Sequence, residues 1–367
     1  MEVFRRGADN TRRQDNQKHA GAPGAKTEHG QAVHSDDNQR AGRGDGVSPA
    51  TISMVLNGKG DISEQTRAKV LEAVEKYGYS PKRRKAVLRN RILLIQYRGS
   101  GYLVEENQGF ISAIIDAIEK NLKNEGYGLS IVNISGDLKE ELEAMSYDSY
   151  SGAILIASEI PPSMYGDIAS IRIPFIVIDN PVPNYNYPCL CMNNEENVWI
   201  ALNFLKQRGF SKIGLLTSSI PFENFELRNR FFFRSLELLD FSFRGPEHRL
   251  RPDMKGARAD MLRELDACGT KALPECFFAV NDIIALGAIY SASGEGDPRT
   301  GGGMVIGFDD IPYAAVSSPT LTTIHVQRRF IGYEAVRGIL NRIENPQLDP
   351  VKTLVTGKLV ERRSVRN

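Results

Sequence analysis

Residues 277–291 read FFAVNDIIALGAIYS, and the change of rhythm inside them decides the fold class. Residues 277–280 are apolar without polar alternation, the pattern of a strand covered on both faces. Residues 283–291 then bring apolar side chains back at helical spacing. Asn281 and Asp282 stand where one pattern gives way to the other. The same alternation extends in both directions. Apolar runs at 92–95, 129–134, 153–157, 175–179, 213–217 and 304–308 are separated by segments of helical period at 110–122, 140–147, 197–208, 227–239 and 258–265. Strands punctuated by helices form parallel sheets through right-handed crossovers, so residues 91–367 are α/β. Two sets of strands predict two parallel sheets and hence two subdomains. Ligands of such sheets sit beyond the carboxyl ends of the strands, and Asp179, Asn281, Asp282 and Asp309 all fall at or just after such ends.

A chain of 367 residues exceeds one ordinary core. With 41% hydrophobic and 25% charged residues it is neither wholly disordered nor a small disulfide scaffold. No run approaches ~18 consecutive apolar residues, and no apolar segment follows the basic N-terminus, so the expected location is the cytoplasm, with no membrane contact. Cys189 and Cys191 would share one face of a strand; neither they nor Cys268 and Cys276 have zinc-site spacing, so reduced, partly buried thiols and no metal are expected. The net charge of +1 conceals an asymmetry. Residues 46–91 carry ten Lys or Arg against four Asp or Glu, a surplus of six, and residues 92–367 carry 28 against 34, a deficit of six. A small basic unit joined to a larger acidic one suits a nucleic-acid reader with a separate sensing domain, although a solvated charge run has the same composition. Phosphate-loop, zinc-protease, serine-hydrolase and dinucleotide motifs are all missing. Beyond residue 45 only His248 and His325 could serve as an imidazole base, and His325 sits in a strand pattern that reads as core. Neither an enzyme nor a bound cofactor is expected.

From Gly46 the texture changes. Val47, Ile52, Val55 and Leu56 fall at helical spacing, as do Val70, Leu71, Val74 and Tyr77. Ser48 is a good N-cap with Pro49 at the first helical position, and Asn57-Gly58 stops the helix. This helix turns Pro49, Ala50, Ser53 and Met54 outward; its small side chains allow close approach to DNA, and the Thr51 and Ser53 hydroxyls can bond phosphate. A second helix starts at Ser63 and runs to Lys76. The stretch GVSPATISMVLNGKG…ISEQTRAKVLEAVEKYGYSP, residues 46–81, resembles the headpiece of the LacI family of bacterial transcription regulators. The resemblance implies a partial helix-turn-helix domain at 46–80, with residues 48–57 as the recognition helix and Asn57 at its end. It further implies a hinge helix at 81–90, whose Leu88 is wedged by two subunits into the minor groove among Lys82, Arg83, Arg84, Lys85 and Arg89. Two features depart from the family. Its first helix is not recognisable upstream of Gly46, and residues 1–45, which contain no Leu or Ile, are expected to be a disordered or frame-shifted segment. Met54 stands where many members read a base edge with Arg or His, and offers only apolar contact.

The rest of the chain resembles the same family's core, a pair of α/β subdomains like periplasmic sugar-binding proteins. The likeness rests on VIDN at 177–180, RGFSKIGLL at 208–216, AVNDIIALGA at 279–288, VIGFDDIP at 305–312, SPTLTTIHV at 318–326 and LVERRS at 359–364. It implies an N-subdomain of about 91–190 with 320–346 and a C-subdomain of about 192–318 with 350–362. Carried over residue by residue, it makes Phe110, Asp179, Arg230, Asn281 and Asp309 ligand contacts. Asp282 and Asp310 are assigned to helix capping, the commoner role of an Asp at a strand end. Met192 replaces the family's Asp before Asn193, Phe210 replaces a His in a structural place, and Trp199 is expected in the core. The expected function is a ligand-responsive, sequence-specific DNA-binding regulator, a repressor sensing a sugar or nucleoside. It would act as a homodimer on near-palindromic double-stranded operator DNA. The alternative is a sugar-binding protein without DNA-binding activity, for want of the first headpiece helix.

Overall fold

The computed structural model describes residues 55, 62–76, 90–100, 102, 108–243, 245, 247–268, 273–292 and 304–365. Two compact units divide the chain, residues 1–87 and 88–367. In the first, Val55 is helical and buried, and helix α1 (Glu64–Lys76) buries Val70. Ser63 opens α1 as the sequence predicts, its Oγ accepting from the Thr66 amide at 3.3 Å. The expectations for residues 1–45, for Ser48, Pro49, Ala50, Thr51, Ser53, Met54 and Asn57, and for Leu88 of the hinge fall outside the described residues.

The second unit holds two sheets. Strands β1 (Arg91–Tyr97), β2 (Gly128–Ile134), β3 (Gly152–Ile156), β4 (Phe175–Ile178), β5 (Cys189–Met192) and β12 (Lys352–Val355) form a parallel sheet of order β12-β5-β4-β3-β1-β2. The other contains β6 (Lys212–Ser218), β7 (Ser242–Phe243), β8 (His248–Leu250), β9 (Cys276–Ala279), β10 (Met304–Asp309), β11 (Thr322–His325) and β13 (Lys358–Val360). Its order is β13-β11-β10-β9-β6-β7, with β8 also on β6 and only β13 antiparallel.

Cover on both faces explains the unbroken apolar runs. In the first sheet Ile92, Leu94, Ile154 and Ile178 point to one buried layer, together with Ile114 and Ile118 of helix α2 (Gln108–Asn124). Leu93, Ile95, Leu155 and Val177 point to the other, against Tyr165 and Ile168 of a 3-10 helix. Cys189 and Cys191 share that second layer as free, buried thiols. In the second sheet β6 follows helix α4 (Asn194–Gln207) and precedes helix α5 (Glu223–Leu238), and helices α6 (Met254–Cys268) and α7 (Asp282–Ala292) pack closely on each other. A Cβ on Gly287 of α7 would lie 2.5 Å from Ala257 Cβ, so only glycine permits that approach.

The chain crosses between the sheets three times, after β5, after β11 and after β12. This corrects the subdomain boundaries: β11 belongs to the second sheet, not to an N-subdomain segment starting at 320, and β12 belongs to the first sheet, not to a C-subdomain segment starting at 350. Helix α9 (Arg328–Glu344) packs with α2 on the first sheet. The crossings are laced together. Gln327 Nε2 donates to the Thr356 carbonyl at 2.6 Å, Asn193 Nδ2 to Thr356 Oγ1 at 3.3 Å, and the Gly357 amide to Asn197 Oδ1 at 2.6 Å. Trp199 is 37% exposed, because on α4 it lies between the buried positions Val198 and Ala201 rather than among them. Phe210 is buried. No helix among the described residues is long and apolar enough to cross a membrane.

Candidate functional site

Two aspartates, one at a strand end of each sheet, face each other across a buried arginine. Asp179 follows β4 and Asp309 ends β10; both hold left-handed backbone, with φ of 63° and 114°. Such conformations cost an L residue about 1–3 kcal/mol and persist where the surroundings hold them, often at functional sites.

The arginine is Arg228, whose side chain is 2% exposed. Its Nη2 lies 3.5 Å from Asp309 Oδ1 and 2.7 Å from Met192 Sδ; Nε donates to Asn194 Oδ1 at 3.0 Å and Nη1 to the Val280 carbonyl. Its guanidinium stacks 3.7 Å from the centroid of the Phe308 ring. A polar chain then runs back to the first subdomain. Asn194 Nδ2 donates to Asn224 Oδ1 at 2.9 Å, Asn224 Nδ2 to the Asp179 carbonyl at 2.8 Å and to Asp179 Oδ1 at 3.2 Å, and Ser158 Oγ donates to Asp179 Oδ2.

Burial dominates the electrostatics. It pushes the Asp179 carboxyl up to about 6, against the opposing pull of the Ser158 hydrogen bond and of Arg228 and with a further push from Asp309. Burial, with the nearby Asp309 charge, raises Asp282 well above the usual carboxylate range, and burial lowers Arg228. Three carboxyl groups, those of Asp179, Asp282 and Asp309, thus act on one guanidinium, and burial favours the neutral form of the first two.

Of the expected contacts, Phe110, Asp179 and Asp309 line one small cavity with Ser158, Met192 and Arg228. It encloses about 20 Å³, room for roughly one water. Arg230 is exposed and does not reach the cavity. The buried face of α5 runs through Phe225, Arg228 and Phe232, and two residues turn a helical side chain about 200° away. Asn281 lies at the end of β9, 1% exposed; its Oδ1 accepts from the Ile284 amide at 2.9 Å, and its Nδ2 has no partner among the described residues. The capping role thus falls to Asn281. Asp282 instead accepts from the Ile311 amide at 2.9 Å and from Thr323 Oγ1 at 2.6 Å. Asp310 is no cap either: it pairs with Arg362 at 2.7 Å and with His325 at 2.8 Å, and His325 is half-buried rather than core. Sequence reading missed Arg228, Ser158, Asn194 and Asn224. The i, i+4 spacing of Asn224 and Arg228 on one helical face was the available signal.

Residues 43–82 match the model of bacterial regulatory proteins of the lacI family, and residues 202–365 that of the periplasmic binding protein-like domain. The HTH-type transcriptional repressor PurR of Yersinia enterocolitica is 28% identical over 326 residues, 87% of this chain and 94% of that one. Among solved structures, the transcriptional regulator CelR in complex with cellobiose aligns with a TM-score of 0.63 at 20% identity, covering 89% of this chain and 99% of that one. The lac repressor dimer bound to operator and the anti-inducer ONPF aligns with a TM-score of 0.63 at 22% identity, covering 88% and 97%. With a lacI-type segment at 43–82 ahead of two α/β subdomains that share a polar cleft, the chain is similar to the LacI family of bacterial regulatory proteins.

Proposed function

We propose that this chain is a ligand-responsive transcriptional repressor whose cleft takes a small, uncharged molecule with neighbouring hydroxyl groups, a sugar or a nucleoside. The observation that carries this reading is the facing pair Asp179 and Asp309 around Arg228. Carboxylates accept from paired hydroxyls, and all three nitrogens of the Arg228 guanidinium are already engaged within the protein. A phosphate would meet two carboxylates and no free guanidinium at this place. The cavity of about 20 Å³ lies far below the ~300 Å³ at which ligand sites begin. Effector entry therefore requires the subdomains to part, so binding and subdomain geometry are linked, and differential affinity for the two arrangements sets the size of the response.

On the DNA side the reading assigns Ser48, Pro49, Ala50, Thr51, Ser53, Met54 and Asn57 to the groove. Two subunits of a cytoplasmic homodimer would set their recognition helices about one helical turn apart on operator DNA. Replacing Leu88 with Ala should weaken operator binding roughly 10- to 100-fold, the scale of losing one buried leucine side chain, and leave effector binding intact. Electrophoretic mobility shifts on selected operator DNA measure this, and unchanged affinity would remove Leu88 from the hinge.

The effector site is tested by a thermal-shift screen of sugars and nucleosides on the full chain, since a ligand of the folded state raises its melting temperature by mass action. A compound that stabilises the parent but not an Asp309→Asn variant supports the cleft; stabilisation of both to the same extent removes it. Affinity for that compound should rise as pH climbs through about 6, where Asp179 becomes a full acceptor, and calorimetric titrations between pH 5 and 8 would record it.

A further inference from the structure

We propose that Arg328 is the positioning residue that ties the place of Asp309 in the cleft to the rotation of the first subdomain. Arg328 opens α9, a helix of the first subdomain, three residues beyond His325 at the end of β11 in the second. Its side chain turns back across the crossing. Nη1 donates to the Asp309 carbonyl at 3.0 Å and Nη2 to the Asp310 carbonyl at 2.9 Å. The same guanidinium lies 5.9 Å from the centroid of the Phe110 ring. One side chain thus spans a cleft residue of each subdomain.

The peptide it grips is the strained one. Asp309 and Asp310 have φ of 114° and 56°, conformations that depend on their surroundings. Three of the groups holding this segment belong to the second subdomain: Asp282 on the Ile311 amide, and Arg362 and His325 on the Asp310 carboxylate. Arg328 comes from the first. The three crossings are hydrogen-bonded to one another. When α9 rotates about them, the two Arg328 bonds must either break or carry the Asp309–Asp310 peptide along. Moving that peptide shifts the Asp309 carboxylate against Arg228, a contact of 3.5 Å. In the reverse direction, an effector that draws on Asp309 pulls α9, and with it the subdomain that follows the DNA-binding segment in the chain.

The inference rests on the cleft being the effector site, yet its test needs neither effector nor operator, so the two can fail separately. Spin labels at Glu119→Cys and Glu237→Cys, both exposed and one on each subdomain, report the inter-subdomain distance in the full chain by electron double resonance. Cys268→Ser is included throughout, and Cys189, Cys191 and Cys276 are buried. Relative to the parent, Arg328→Met should broaden the distance distribution and move it outward. Amide exchange over residues 305–311 should also accelerate roughly 10- to 100-fold, the scale of losing hydrogen bonds from a charged donor, with β1 unchanged. Arg328→Lys, which keeps a cationic donor, should restore part of both effects. Superimposable distance distributions in the parent and the Met variant would overturn the proposal even if exchange rises locally, because Arg328 would then hold only its loop. Equal acceleration throughout both sheets would overturn it as well.

Discussion

Replacing Arg228 with Met should lower the free energy of unfolding by about 3–5 kcal/mol, the cost of leaving buried charges without their partner. Met keeps part of the apolar stem and removes the guanidinium, which lies 3.7 Å from the Phe308 ring centroid and 5.6 Å from that of Phe225. Arg228 is the buried cation facing Asp309 at 3.5 Å, and its charge also acts on Asp179. The loss should depend on pH in a definite direction. Asp179 already has a folded-state pKa raised to about 6, above its unfolded value, so the folded state holds the extra proton. Stability from this group is therefore present at low pH and declines as pH rises through about 6. Without Arg228 the carboxylates are pushed higher still, which extends the decline to higher pH. Urea denaturation should show a larger deficit at pH 8 than at pH 5. An equal deficit at both would assign the effect to packing instead of charge.

Replacing Asp309 with Asn should weaken effector binding while keeping the fold, because Arg228 retains the Asp179 charge, Asn194 and the Val280 carbonyl. Asn is the informative choice because Asp309 holds a φ of 114°, where Ala would add backbone strain and confuse the result. The side-chain shape and one acceptor oxygen remain; the charge and the second acceptor go. Hydrogen bonds to an ionised acceptor are worth about 1.5–3 kcal/mol, so the effector should bind roughly 10- to 100-fold more weakly. Calorimetric titration with a compound from the thermal-shift screen measures the loss. Normal binding would take Asp309 out of the site, whatever became of the stability.

Much of this architecture is written in local sequence, and the exceptions have physical causes. The runs at 92–95, 153–157, 213–217 and 277–280 announce strands because helices or other cover bury both their faces. Strands β11 and β12 are different. Their sequences TTIH and KTLV are short and polar, and nothing in four such residues says which of two sheets they join. Boundaries at 320 and 350 therefore differ from the observed sheet membership of these two strands. Asp179, Asp309 and Phe110 could be placed because they follow recognisable strands or a distinctive helix start. The motif ELRNR holds two arginines that residue type alone does not tell apart, and the buried face of the helix selects Arg228 over Arg230. Asn194, Asn224 and Ser158 left no individual mark. Their roles arise from three segments meeting in space, and Arg328 gave no signal because its partners are main-chain carbonyls.

The joining of an effector cleft to a DNA-reading segment in one molecule is open to measurement. It is tested most directly by selecting duplex DNA from a random pool with the full chain, then measuring affinity for the selected sequence with and without a compound whose stabilising effect requires Asp309. A preferred near-palindromic site is expected, with a shift in affinity of about 5- to 150-fold on adding the compound, the usual range of coupling between two sites. Equal affinity with and without it, at concentrations that saturate the cleft, would mean that the cleft and the DNA-reading segment are not coupled.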